Sequence, residues 1–267
     1  MRWLKNLLSK PSERSVETRT CTVSFTNMSD YGVIAGTMSV DDLPLFMNRF
    51  FDTHEQAIRS NAGTISQIIG DNIMAVWAAD DSAQAACMSA LDQCKIMREF
   101  DTWAEAHGYP SPKFRIGINT GPMHVNKGPR PNQVAVLGDA VNLASRLDQL
   151  NKSYGTRILI SEFTREGLDA SLIVRPVDVV RIKGKEKSVT LFELIGRVAE
   201  ANDELRVFFD EYNAAFSKYV DGDFEEALRG FETAMSRRPE DIATDMFIAR
   251  CRSFVECPPN ELWAGKH

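Results

Sequence analysis

Val136-Leu137-Gly138-Asp139-Ala140-Val141-Asn142-Leu143-Ala144-Ser145-Arg146-Leu147 runs from the tip of a β-prone segment into an amphipathic helix. Four residues separate Asn142 from Arg146, so an amide and a guanidinium lie side by side on one helix face. A planar guanidinium beside a neutral hydrogen-bonding group suits the charge that builds on phosphorus as its oxygens change partners. An ordinary exposed helix carries such pairs too, so the meaning of this one depends on the segments around it.

Strands are expected on either side of that helix, at Val134–Leu137 and at 157–160, with another at 114–118. Upstream, a strand at 20–25 precedes a helix over 40–62, for which Ser39 is the cap. Leu43, Phe46, Met47, Phe50, Phe51, His54 and Ile58 recur there at helical spacing, and Gly63 ends it. Thr64–Ile69 and Asn72–Trp77 read as a hairpin turning at Gly70-Asp71, which holds Asp71 at an exposed tip. A helix over 82–107 runs to a proline-containing break at 109–112. Strands at 177–182 and 188–194 flank Lys183-Gly184-Lys185-Glu186-Lys187. Strands and helices interleave without strict alternation, and a hairpin sits among them. The expected fold class is therefore α+β, a mixed sheet flanked by helices, rather than a doubly wound parallel sheet.

After Arg197 the chain becomes helical and acidic. Gly222, Phe224, Ala227, Phe231, Ala234 and Pro239 fall at the offsets of the second half of a tetratricopeptide unit, and a further helix is expected over 241–254. One such unit cannot form a solenoid, because stacking of repeats is what buries its face. The expected organisation is a basic amphipathic arm and linker over 1–19, a main domain over 20–197 and a small all-helical appendage over 198–267.

Of 267 residues, Lys and Arg supply 31 and Asp and Glu 37, a formal charge of −6 that argues against a nucleic-acid binder. Five cysteines, odd in number and without a close Cys-x-x-Cys pair, favour a reducing compartment, and the expected location is cytoplasmic. No apolar run is long enough to cross a bilayer. Residues 1–10 place Trp3, Leu4, Leu7 and Leu8 on one stripe with cations elsewhere, which allows weak contact with a membrane surface or pairing with a second copy.

From about Arg19 to Gly196 the chain resembles the catalytic domain of the class III nucleotidyl cyclases, the adenylate and guanylate cyclase family. Six segments carry the resemblance: Val23 to Met28, Ile69 to Trp77, Arg115-Ile116-Gly117-Ile118-Asn119-Thr120-Gly121, Leu137 to Leu147, Tyr154 to Ser161, and Arg181-Ile182-Lys183-Gly184-Lys185. The tail also resembles the end of bacterial members, through Arg250-Cys251 and Pro258-Pro259. The resemblance implies attack by the 3'-hydroxyl of a nucleoside triphosphate, ATP before the others, on its own α-phosphorus. It implies magnesium or manganese ions held by two carboxylates, because hard cations prefer oxygen. It further implies a site shared between two chains, as a homodimer or as a heterodimer with another cyclase-type chain.

Carried over residue by residue, the resemblance makes Asn142 and Arg146 the transition-state groups and Lys183 a cation for the terminal phosphate. Backbone amides from Met28, Ser29, Asp30 and Tyr31 would meet phosphate oxygens at a helix start. Asp71 matches one metal carboxylate. The other position is Asn27, whose single carbonyl oxygen brings no charge. Asp30, three residues on, would aim its carboxylate elsewhere. Base selection is implied at Gln67 and Ala135, and of these Ala135 can neither donate nor accept a hydrogen bond. Neither matches the glutamate and cysteine of a guanylate cyclase. The sequence thus points to a cyclase homologue of weak or absent turnover that binds nucleotide, with an active cyclase of altered base choice or completed by a partner chain, and a non-enzymatic dimeric scaffold, as the alternatives.

Overall fold

Pairing on both sides carries β1 (Glu17–Met28) further than its residues suggest: antiparallel neighbours β3 (Asn72–Trp77) and β4 (Phe114–Lys127) hold it as far as Asn27 and Met28. The computed structural model describes residues 17–127, 134–181 and 188–259. Its sheet runs β2 (Thr64–Ile69), β3, β1, β4, β6 (Ile158–Ser161), β8 (Ser188–Arg197), β7 (Leu172–Arg181), with β5 (Val134–Leu137) paired to β4. Only β4 and β6 pair in parallel, so the sheet is mixed and the fold is α+β as expected.

The hairpin β2–β3 forms where the sequence places it, and Gly70 takes the positive φ of 62° that its tight turn demands. β4 continues from Phe114 through Gly121-Pro122 to Lys127, past the expected end at 118, because β1 pairs with it as far as Val125 and β5 with its last residues. A short helix that the sequence did not reveal, α1 (Tyr31–Thr37), contains two glycines. The Asp30 carbonyl accepts from Val33 and Ile34, and buried Ile34 anchors it.

On one face of the sheet, α2 (Asp42–Ser60) and α3 (Ser82–Ala106) bury Phe46, Phe50, Ile58, Cys87 and Phe100 against Ile73, Ala75, Ile116 and Ile118. Ser39 does act at the start of α2, its hydroxyl accepting from the Asp42 amide at 3.0 Å. α4 (Asp139–Tyr154) covers the other face through Ala140, Leu143, Ala144 and Leu147. It lies so close that a Cβ on Gly117 would stand 2.2 Å from the Asp148 backbone nitrogen. Only glycine permits that approach.

His54 sits wholly buried in the α2–α3 core, its Nδ1 3.0 Å from Gln93 Oε1. Burial depresses its pKa from 6.5 to about 4. The unfolded chain therefore takes the proton first, and stability is lost as pH falls through the ordinary histidine value. From about pH 7 to about pH 5 the loss should be about 2 kcal/mol in urea unfolding. His54→Leu should flatten that slope; an unchanged slope would show that His54 is not its origin.

The one-turn α5 (Glu162–Arg165) follows β6, and the tail forms three helices, α6 (Asp203–Val220), α7 (Phe224–Arg237) and α8 (Ile242–Glu256). They share a core of Phe208, Tyr212, Tyr219, Phe231 and Phe247. α6 supplies the first helix of the tetratricopeptide-like unit whose second half is legible in the sequence. Gly230 of α7 lets α6 approach, since a Cβ there would meet Ala215 Cβ at 2.7 Å. The tail packs on the sheet edge and α4: Tyr212 donates to the Pro176 carbonyl, and Arg250 grips Asp178 with two bonds of 2.9 and 3.0 Å. Among the described residues no helix is long and apolar enough to cross a membrane, and all five cysteines are free.

Candidate functional site

Asn27 stands opposite Asn72 on β3 and opposite Arg115 on β4, and opposed residues of an antiparallel pair share a face. The three form a row across the α4 face of the sheet. Asp71 occupies the turn just before Asn72, half-buried, so the β2–β3 turn delivers a carboxylate to the end of the row.

Above the row lies Asp148, on the buried stripe of α4 and only 4% exposed. Because Gly117 brings α4 down onto β4, its carboxylate comes within electrostatic reach of Arg115 and Asp71. Burial pushes its pKa up to about 7, the Arg115 charge opposes that rise, and the Asp71 charge adds to it. Asn72 Oδ1, Arg115 Nε and Asp148 Oδ1 are all buried and lack a hydrogen-bond partner among the described residues. Such atoms are costly unless something completes them. Nothing in the sequence singles out Arg115 and Asp148: period two puts Arg115 on the face of Gly117, but the row exists only once strands are paired.

Asn142 and Arg146 share one stripe of α4, both exposed and opposite the buried stripe of Ala140, Leu143, Ala144, Leu147 and Asp148. They point away from their own chain's Asn27–Arg115 row. Neither side chain makes a hydrogen bond or ion pair to another described residue. Arg146 lies within electrostatic reach of Tyr154, whose phenol donates to Asp178 at 2.6 Å.

Gln67 follows a bulge at Ser66, where the Ser66 hydroxyl bonds the Val134 carbonyl of β5 at 2.5 Å. Ala135 is the next residue of β5, so Gln67 and Ala135 flank one seam, the first exposed and the second half-buried. The loop after β1 departs from expectation. The Ser29 amide donates to the Lys113 carbonyl at 2.7 Å and is not free for phosphate. Met28 buries its side chain in the core, Tyr31 opens a helix of seven residues, and the Asp30 carboxylate accepts from the Lys113 amide at 3.3 Å. Asp30 is thereby tied to β4, away from the role of a replacement ligand. Lys183 and the arm of residues 1–10 lie outside the described residues.

As a donor set, the row suits one oxygen-liganded divalent ion: Asp71 brings charge, and Asn27 and the unpartnered Asn72 Oδ1 bring amide oxygens. It does not supply the second carboxylate that a pair of bridged ions needs. No group of three or more His, Cys, Asp or Glu suited to a metal occurs among the described residues.

The sequence pattern of the adenylate and guanylate cyclase catalytic domain matches residues 14–195. The terminal-differentiation-specific adenylate cyclase of Dictyostelium discoideum is 32% identical over 240 residues, which cover 87% of this chain and 11% of that protein. Adenylate cyclase 1 of Rhizobium meliloti is 30% identical over 187 residues, 68% of this chain and 28% of that one. The chain therefore spans only a small part of the curated relatives it matches. In fold it is similar to the crystal structure of the guanylyl cyclase Cya2, with a TM-score of 0.61 at 22% identity over 70% of this chain and 97% of that one.

Proposed function

The chain belongs to the adenylate and guanylate cyclase catalytic-domain family, and we propose that two copies, or one copy and a related chain, bind a nucleoside triphosphate between them and cyclise it slowly. The observation that carries this reading is the division of α4. Its inner stripe closes over Asn27, Asp71 and Arg115, while its outer stripe presents Asn142 and Arg146 with no partner of their own. One copy holds the two halves apart, so a second chain is needed to face them across one substrate.

In the reaction the 3'-hydroxyl oxygen bonds to the α-phosphorus, the bond to the bridging oxygen breaks, pyrophosphate leaves and the hydroxyl proton passes to solvent. Asp71, with the amide oxygens of Asn27 and Asn72, would hold a divalent ion, which would supply neutralisation of phosphate charge. Arg115 adds a cation from the same row, its Nε already desolvated and unpaired. From the facing chain Arg146 donates to the oxygens on which charge grows, and Asn142 steadies it with a neutral amide. Gln67 and Ala135 bound the base, and with only one hydrogen-bonding side chain between them discrimination among bases is weak. Asn27 in place of a carboxylate is the reason for slow turnover.

The test is manganese-supported conversion of the four ribonucleoside triphosphates by the purified chain. Slow cyclic product from more than one of them is expected, and Arg146→Ala should lower it by about a hundredfold. Because Arg146 is exposed and unpaired in the single chain, the same variant should keep its melting temperature. Undiminished product from Arg146→Ala would overturn the shared-site reading.

A further inference from the structure

On the α3 side of the sheet, away from the Asn27 row, a cleft of about 830 Å³ opens between α3, the start of β4, the end of β8 and the α7–α8 loop. Alternation along β4 fixes the side: Phe114 belongs to the core beneath α2 and α3, whereas Arg115 faces α4. Lys95, Arg98, Lys113, Arg157 and Arg238 line it, all exposed, and none is paired with a carboxylate among the described residues.

The acids in the wall are already engaged. Glu193 is held by Arg175 at 2.7 Å, Glu200 lies 3.7 Å from Arg197, and Asp101 accepts from the Ser111 hydroxyl at 2.5 Å. Arg197 is itself spent on Asp92 at 2.7 Å. Two guanidinium groups lie over rings, Arg157 over Phe114 at 5.4 Å and Arg238 over Phe208 at 5.3 Å, which helps to place them without neutralising them. Within a chain of net charge −6, five cations thus outnumber the three acids around one concavity, with Glu193 within electrostatic reach of Arg238 as well as Arg175. Planar guanidinium groups and ammonium groups together recognise phosphate oxygens. The volume lies within the range of small-molecule sites, and the floor, at Met97, Ile158 and Leu194, is apolar. A long polyanion would be repelled by the rest of this acidic surface, which favours a small ligand.

We propose that this cleft is a second ligand site, which binds a phosphorylated organic molecule of nucleotide size. Arg98, Lys113 and Arg157 take the phosphate oxygens, and the floor takes the organic part. Arg238 comes from the tail, so the bound ligand bridges the sheet and the helical extension.

The probe is ADP, titrated calorimetrically into the full chain with EDTA present, which removes any metal-dependent binding at the Asp71 row. Submillimolar binding is expected, weakened at least about tenfold by Arg98→Glu with Lys113→Glu and unchanged by Arg146→Ala. Both reversed residues are exposed, and an unaltered melting temperature verifies the fold; the milder Arg98→Gln with Lys113→Gln serves if that pair fails to fold. Pyrophosphate should bind more weakly than ADP, because it leaves the floor empty. Absence of ADP binding at millimolar concentration, loss with Arg146→Ala in place of the cleft variants, or equal affinity for pyrophosphate would each overturn the proposal.

Discussion

Asn27→Asp is expected to raise manganese-supported formation of cyclic nucleotide by about a hundred- to a thousandfold, the span that one preorganised charge-stabilising group commonly supplies. Asn27 is held in place by β3 and β4 on either side, opposite Asn72 and Arg115, so exchanging its amide for a carboxylate changes charge with almost no change of shape. The new carboxylate would stand in the same row as Asp71 and allow a second ion to be bridged. Next to Arg115 it would also gain a cation in the absence of metal, which limits the cost of placing two acids together. The gain should vanish when Asp71→Asn is added, since the second ion needs both. A fold-change below about threefold, with nucleotide still bound, would mean that some other group limits the rate. Fast turnover by the unaltered chain would place the missing charge elsewhere.

Arg175→Met is expected to destabilise the chain by about 3–5 kcal/mol, because it leaves two largely buried carboxylates, 16% and 8% exposed, without their cation. The Arg175 side chain is 3% exposed and forks onto Glu193 at 2.7–2.8 Å and onto Asp241 at 2.8–2.9 Å. Its guanidinium also lies over Tyr212 at 4.7 Å. Burial pushes Glu193 above the usual carboxylate range even with Arg175 beside it, so removing the cation leaves it more strained still. Asp241 in turn caps α8, accepting from the Thr244 amide at 2.8 Å. Loss of Arg175 therefore loosens the start of α8 and the seam between tail and sheet together. Thermal melting reports the total, and hydrogen exchange over 203–256 shows whether the tail opens first. Replacing Glu193 and Asp241 by Gln and Asn in the same chain should recover much of the loss. A cost under about 1 kcal/mol would mean that water reaches the ion triad and that the tail is held by its apolar contacts alone.

Much of the candidate site could be read along the chain because its groups come from local signals. Asp71 belongs to a Gly-Asp turn between two β-prone runs, and Asn142 and Arg146 share a helix face by their spacing alone. The tetratricopeptide-like half from Gly222 to Pro239 likewise shows in the offsets of its small and aromatic residues. Strand ends were less legible. Asparagine and proline are poor strand formers, yet pairing along their full lengths carries β1 to Met28 and β4 through Pro122. Pairing, on two sides at Asn27 and with β1 alone at Pro122, outweighs a local preference of at most about 1 kcal/mol.

Sequence by itself determined the fold class and the family, because periodicity, turn chemistry and ordered motifs are properties of neighbouring residues. Tertiary structure alone decided that Arg115 and Asn72 join Asn27 and Asp71 in one row beneath the buried Asp148, and that Asn142 and Arg146 face out of the helix that carries Asp148. It alone seated the tail on Arg175 and Asp178 and gathered five cations around a cleft. Those facts depend on which strands pair and how closely α4 settles over Gly117. Such distances join residues far apart in the chain, and no local pattern encodes them.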